Sequence, residues 1–212
     1  MPGFRTLLAE REMPQPVLPD SAASRRELPI GIEGTGKCLP GRVVTAAEMD
    51  VIVKRPEGWT LRHTGVAERH FVTEETSPFL GAGALKNALT AAGGGIPDLL
   101  LSAGGTPHQP IPCNAALIAR EMGWSGLPCY DVNATCLGFI AALEVAAAFI
   151  ASGKHERVAI VCAEIASKGL NWDQPEAAAL MGDGAAAVIV SRVPPDAPLP
   201  HPALVTSAIE PW

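Results

Sequence analysis

The chain contains no Cys-x-x-Cys pair. Its five cysteines, Cys38, Cys113, Cys129, Cys136 and Cys162, are scattered and odd in number, which fits reduced thiols in a cytoplasm better than a disulfide frame or a zinc site. An excess of positive charge is also missing. Sixteen Lys and Arg against 22 Asp and Glu give a net charge of −6 and a pI near 5.4, which argues against nucleic-acid or anionic-membrane partners. No apolar run reaches membrane-spanning length, because Glu144 interrupts the longest one. Glu10, Arg11 and Glu12 fall where a signal peptide would need apolar residues. Gly-x-Ser-x-Gly is absent, which argues against an α/β-hydrolase.

Two glycine-rich spacings are incomplete. Gly31-Ile-Glu-Gly-Thr-Gly-Lys37-Cys38 has phosphate-loop spacing up to its last position, where Cys38 replaces the Ser or Thr that would hold magnesium. Leu39-Pro40-Gly41 then follows where that motif requires a helix. Gly34-Thr-Gly-Lys-Cys-Leu39 lacks the third glycine of a dinucleotide fingerprint. A strand running out into a turn accounts for both.

What remains is an ordinary globular composition, 48% hydrophobic and 18% charged over 212 residues. A chain of this size can bury roughly two thirds of its unfolded surface. Met1–Leu28 has no sustained periodicity and reads as a flexible extension, leaving 29–212 as one unit. Pro29–Thr35 reads as a strand. Thr45-Ala-Ala-Glu48 is a capping box predicting a helix over Ala46–Arg55. Gly58–His70 reads as a loop carrying Trp59, Arg62, His63 and Gly65, with Phe71-Val72 as a short strand. Ser77-Pro78 predicts an N-cap and first helical position, and the helix ends at Gly93-Gly94-Gly95. Asp98–Ala103, Arg157–Ala163 and Ala185–Ser191 are apolar strands of the kind buried on both faces. Cys113–Met122 reads as a helix, Cys129–Ala134 as a strand, Val193–Pro202 as a surface link and Ala203–Ile209 as a last strand. Strands alternating with helices at this spacing predict a largely parallel, doubly covered α/β sheet.

Within that pattern one stretch carries chemistry. Asp131-Val-Asn-Ala-Thr-Cys136-Leu-Gly-Phe139 reads as a strand turning sharply at a cysteine into a long helix. From Leu137 to Ala151 the only charged residue is Glu144, the pattern of a buried helix. Strand-turn-helix geometry aims the Cys136 sulfur at the carboxyl edge of the sheet, where open α/β sheets bind ligands. A helix N-terminus favours an anionic sulfur, and a backbone N–H at the same turn can serve an oxyanion. Cys38, Cys113, Cys129 and Cys162 read instead as buried, inert filler.

Read together, Gly34-Thr-Gly-Lys-Cys-Leu-Pro40, Trp59-Thr-Leu-Arg-His-Thr-Gly65, Asp131–Phe139 and Gly182-Asp-Gly-Ala-Ala-Ala187 resemble β-ketoacyl-acyl-carrier-protein synthase III, a thiolase-like condensing-enzyme family. The resemblance covers about Pro29 to Arg192. It implies the N-terminal half of a thiolase-like α/β fold: a βαβαβ-type unit whose mixed, mostly parallel sheet is covered by helices around a buried nucleophile helix. It implies that Cys136 accepts an acyl group from acyl-coenzyme A or acyl-carrier protein, with its backbone N–H in the oxyanion hole. It further implies that Trp59 stacks on the coenzyme A adenine, and that Gly182, Asp183 and Gly184 form a packing turn beside the site. No bound cofactor or metal is implied, only thioester substrates, with malonyl-carrier protein or malonyl-coenzyme A as extender and a homodimer or heterodimer as the assembly.

The departures from the family pattern are specific. The arginine expected four residues after Trp59 is His63, with Arg62 one place early, and a second adenine-flanking arginine falls at Pro175. Both shift the expectation towards a carrier-protein-bound donor. Ile111 stands where a phenylalanine from the partner subunit commonly closes the acyl pocket, leaving room for a longer chain. The family's second half supplies a His and Asn pair that decarboxylates the malonyl extender, and the sequence ends at Trp212, about where that half should begin. Thr106-Pro-His-Gln109 has the look of the histidine motif but sits in the wrong place, with Pro110-Ile111 where Ala-Asn should follow. His63, His70, His155 and His201 read as surface or loop residues. Two readings result: an acyltransferase that needs a second half for condensation, or a non-catalytic truncated half-protein or assembly subunit.

Overall fold

The computed structural model describes residues 27–193 and 203–205, with side chains described from Ile30 to Val193. The extension expected over Met1–Leu28, the link over Val193–Pro202 and the end of the strand expected over Ala203–Ile209 lie almost wholly outside the described residues.

Two apolar runs make the centre of the molecule. Strands β4 (Leu99–Ser102) and β6 (Arg157–Ile165) pair in parallel, and their side chains alternate between two cores. Leu100, Ala159 and Val161 point to one face, and Leu99, Leu101, Val158 and Ile160 to the other, as period-two side chains must. A strand with every residue buried, as in β4, requires cover on both faces. On one face lie α3 (Ser77–Ala91) and α4 (Asn114–Glu121), and on the other α5 (Gly138–Ala151).

The six-stranded sheet is completed by β5 (Cys129–Asp131), β7 (Asp183–Arg192), β1 (Glu27–Cys38) and β8 (Ala203–Val205), in the order β5-β4-β6-β7-β1-β8. It is mixed as expected, but parallel only at the β5-β4-β6 end; β6-β7, β7-β1 and β1-β8 are antiparallel. The apolar alternation that identifies a doubly covered strand carries no sign of chain direction, so the parallel share was overestimated.

The glycines that mimic nucleotide loops lie inside β1. A Cβ at Gly36 would sit 2.3 Å from the Ala84 carbonyl oxygen and the Ala88 nitrogen, and one at Gly34 would sit 2.5 Å from the Ala88 oxygen. These glycines let α3 rest directly on the strand backbone, the close approach that glycine in a strand permits. The cap of α3 is Thr76, whose hydroxyl accepts from the Phe79 N–H at 3.3 Å, one residue before the expected Ser77. Ser77 is buried instead and bonds to Asn114 at 3.1 Å.

A small lobe carries β2 (Arg42–Thr45), α1 (Ala46–Ile52), α2 (Trp59–Thr64) and β3 (Glu68–Phe71), with β2 and β3 antiparallel. Thr45 caps α1 by accepting from Glu48 N–H at 3.2 Å, as the capping box predicts. The stretch expected as a loop contains α2. The Asp50 carboxylate accepts from Gly58 N–H at 2.6 Å and Thr60 N–H at 2.7 Å, so the signal for this helix lies on the preceding helix. Among the described residues, no helix is long and apolar enough to cross a membrane.

Candidate functional site

The carboxyl ends of β4, β5 and β6 share one edge of the sheet. Because β7 runs antiparallel to β6, its first residue, Asp183, pairs with Ile165 at that same edge. Asp183 is 4% exposed and its carboxylate accepts from Val72 N–H (2.9 Å), Ser167 N–H (2.9 Å) and the Ser167 hydroxyl (2.6 Å). It therefore ties the small lobe and the turn after β6 to the sheet. Gly182 and Gly184 flank it where a Cβ would press on Arg69 and Leu39; Asp183 and Gly184 are the first two residues of β7, where a turn ahead of the strand was expected.

Cys136 stands on this edge in a one-turn 3-10 helix, Thr135–Leu137, between β5 and α5, and it is exposed. Two features set its position. Thr135 has φ +49°, a left-handed conformation that a β-branched residue rarely adopts. It is held there by its N–H donating to Asn133 Oδ1 at 2.9 Å, followed by Leu137 N–H to Ala134 O at 3.0 Å. Such local strain concentrates at functional turns. At Gly138 a Cβ would lie 2.5 Å from the Ala103 carbonyl oxygen, so only glycine lets α5 start against the end of β4. The expectation of a helix buried all round is corrected. Gly138, Ala142, Leu143, Ala146, Ala147 and Ile150 are buried, whereas Ala148 is exposed and Phe139, Ile140, Val145 and Phe149 are half-covered.

The loop after β4 forms a second wall. Glu164, near the end of β6, accepts from Gly105 N–H, from Thr106 N–H at 2.9 Å and from the Thr106 hydroxyl, which itself accepts from Ile165 N–H at 3.2 Å. Thr106, Pro107 and His108 then line a cavity of about 340 Å³ with Ile165 and Lys168. His108 thus belongs to the loop after β4, the position that argued against its being the family's catalytic histidine. Ile111 is on the same loop and 86% exposed. Sequence reading missed Glu164, whose partners lie 58 and 59 residues away, and Asp131, whose carboxylate caps α4 by accepting from Asn114 and Ala115 N–H, each at 2.8 Å.

Trp59 and Arg62 share α2 but not a function visible in their contacts. Trp59 is half-buried, with the His63 ring stacked on it at 4.4 Å and 23° and the Arg55 guanidinium 5.3 Å from its centroid. Arg62 turns back to donate to the Glu57 carbonyl at 3.4 Å. The stacking partner of Trp59 is thus the residue standing where the family pattern has arginine. Of the other histidines, His70 bonds the Pro40 carbonyl at 2.6 Å and His155 lies 3.5 Å from Asp98; His201 is outside the described residues. Burial, with the nearby Glu164 carboxylate, pushes the Cys162 thiol up to about 11. Among the described residues no cluster of His, Cys, Asp or Glu is arranged to hold a metal ion.

A mixed sheet with helices on both faces and a cysteine turn at its carboxyl edge defines one half of a thiolase-like α/β fold. Solved structures agree: the chain superposes on 3-oxoacyl-[acyl-carrier-protein] synthase III from Aquifex aeolicus with a TM-score of 0.73 at 36% identity, covering 77% of this chain and 54% of that one. It also superposes on the priming β-ketosynthase of the R1128 polyketide biosynthetic pathway with a TM-score of 0.72 at 28% identity, covering 84% and 53%. The family model for 3-oxoacyl-[acyl-carrier-protein] synthase III matches residues 130–202. Curated β-ketoacyl-[acyl-carrier-protein] synthase III proteins of Aquifex aeolicus and Oleidesulfovibrio alaskensis are 37% and 39% identical over 163 and 166 residues, 76% and 77% of this chain. The chain is thus similar to β-ketoacyl-acyl-carrier-protein synthase III, and it spans about half the length of the curated relatives it matches, 53% and 50% for these two.

Proposed function

We propose that this chain is the acyl-accepting half of a β-ketoacyl-acyl-carrier-protein synthase III-type acyltransferase. The observation that supports it best is the exposed Cys136 on a strained turn, with α5 seated against the end of β4 through Gly138. In this reading the Cys136 thiolate attacks the carbonyl of an acyl-coenzyme A or acyl-carrier-protein thioester, an oxyanion forms and collapses, and the donor thiol leaves. Backbone N–H groups of the turn serve the oxyanion. The acyl-enzyme then awaits a carbanion from malonyl-carrier protein or malonyl-coenzyme A, generated by a decarboxylating His and Asn pair from the second half of the family fold. The complete enzyme works as a homodimer or heterodimer in the cytoplasm, in fatty-acid or polyketide-type biosynthesis, and needs no bound cofactor. Trp59, with Arg62 beside it, serves the donor's carrier portion, and the exposed Ile111 contributes to the acyl pocket across an assembly.

The test is an adduct. Incubation with acyl-coenzyme A or acyl-carrier protein, followed by mass spectrometry, is expected to show acyl mass on Cys136 that disappears in Cys136→Ala. Alkylation of the other cysteines with no acylation of Cys136 would favour a non-catalytic assembly subunit. Steady β-ketoacyl turnover by the purified chain alone would show that no second half is needed.

A further inference from the structure

We propose that Cys113 and Cys129 form an oxidisable dithiol that closes reversibly into a disulfide fastening the start of α4 to β5. Five observations converge on this pair. The Asp131 carboxylate binds the N–H groups of Asn114 and Ala115, 2.8 Å each, so the residue before Asn114 is fixed against β5. Cys129 lies two residues before Asp131 in the same strand, and alternation puts both side chains on the α4 side of the sheet. Cys113 and Cys129 pack, half-buried, against the same apolar core. Burial first, then the neighbouring Cys113 sulfur and the Asp131 carboxylate, raise the Cys129 thiol. Cys113 is the N-cap of α4 and makes no side-chain cap bond, so forming a sulfur–sulfur bond sacrifices no cap.

The chemistry needs one oxidant, a peroxide. The Cys113 thiolate attacks hydrogen peroxide, giving a sulfenic acid and releasing hydroxide, which takes a proton to become water. The Cys129 sulfur then attacks the sulfenic sulfur, expelling a second hydroxide that also leaves as water. Overall, two thiols and one peroxide give one disulfide and two waters. Both partners sit on segments leading to the carboxyl edge, Cys113 after the loop of Ile111 and Cys129 before the turn of Cys136. The pair is separate from the acyl-accepting thiol, and the inference does not depend on acyl transfer.

The experiment uses the full chain treated with hydrogen peroxide, alkylated, digested with trypsin and mapped by tandem mass spectrometry. Cleavage after Arg120 and Lys154 leaves Cys113 on one fragment and Cys129 with Cys136 on another, so fragment ions between Tyr130 and Thr135 assign the bond. The expected result is a Cys113–Cys129 cross-linked peptide, two hydrogens lighter than its parts, released by a thiol reductant and absent in Cys113→Ser and Cys129→Ser. A cross-link of Cys113 to Cys136, or oxidation of Cys113 and Cys129 one by one to sulfinic acids, overturns the proposal. The wild-type map decides the question even where a serine variant folds poorly.

Discussion

Helices α3 and α5 lie on opposite faces of one sheet and are built from similar small, apolar residues, yet they are used differently. Helix α3 buries one face along its length: Leu80, Ala82, Ala84, Leu85 and Ala88 are buried while Lys86, Asn87 and Thr90 face solvent, and Gly34 and Gly36 of β1 bring its backbone onto the strand. Helix α5 is the more apolar in sequence but has fewer fully buried residues, and its first residue, Gly138, leaves no room for a Cβ against the Ala103 carbonyl. One helix is fixed along its whole length to hold the sheet together. The other also buries Ala142, Leu143, Ala146, Ala147 and Ile150, but its backbone meets strand backbone at its beginning, next to Cys136. Hydrophobicity alone ranks them the wrong way round, because it measures what a helix tolerates as a neighbour and not which neighbours this chain supplies.

The sharpest way to break the comparison is at the α3 contact. Gly36→Val places a branched side chain 2.3 Å from backbone atoms of α3, where neither partner can yield. A loss of about 3 kcal/mol or more is expected in denaturant unfolding. Gly138→Ala tests the other helix. The added methyl meets the Ala103 carbonyl at 2.5 Å and displaces the start of α5. Acylation of Cys136 should fall by about 10²-fold, as misplacement near 1 Å does, with a stability loss of about 1–3 kcal/mol. An acylation rate falling only in step with the folded fraction would refute the positioning role. Ala148→Lys on the open side of α5 should change stability by less than about 0.5 kcal/mol, as a surface change does. The same substitution at fully buried Ala84 should prevent folding, read by circular dichroism and size-exclusion elution.

The smallest effect concerns pH. Glu75 accepts from the N–H groups of Thr73 and Gly41 among others, and these bonds, the one from Thr73 foremost, hold its carboxyl down at about 2 against an ordinary 4.5. Its folded-state value lies below the unfolded one, so its contribution is fully present above pH 4.5 and is lost as pH falls through 2. Glu75→Gln should therefore flatten the acid limb of the stability profile between those values and leave its neutral slope unchanged. Melting temperatures measured across that range provide the check.

Much of this fold was legible because its central strands are continuous apolar runs. Leu99–Ser102 and Arg157–Ile165 carry their own evidence of burial on both faces, and Thr45 to Glu48 carries a complete local cap. The parts that were not legible depend on partners distant in sequence. The helix at Trp59 is held by Asp50 from the preceding helix, and the wall of Thr106 by Glu164 from a neighbouring strand. Chain direction in the sheet was overestimated as parallel because side-chain alternation is the same either way. At the candidate site, the sharp turn carrying Cys136 was legible from its own residues, and the structure places it between β5 and α5. The stacking of His63 on Trp59, however, required knowing that the two residues lie one helical turn apart in a segment read as a loop.

The contact between Gly138 and the Ala103 carbonyl has a consequence for how such a scaffold can diversify. The height of the sulfur above the sheet is set by strand backbone at Ala103 and by the Asn133 side chain of its own turn. The loop from Gly104 to Pro112 and the small lobe around Trp59 can therefore change length, charge and bulk while the Cys136 sulfur keeps its coordinates. On the acyl-accepting role proposed for Cys136, new donors would be accommodated by redrawing the walls, with the point of attack inherited unchanged.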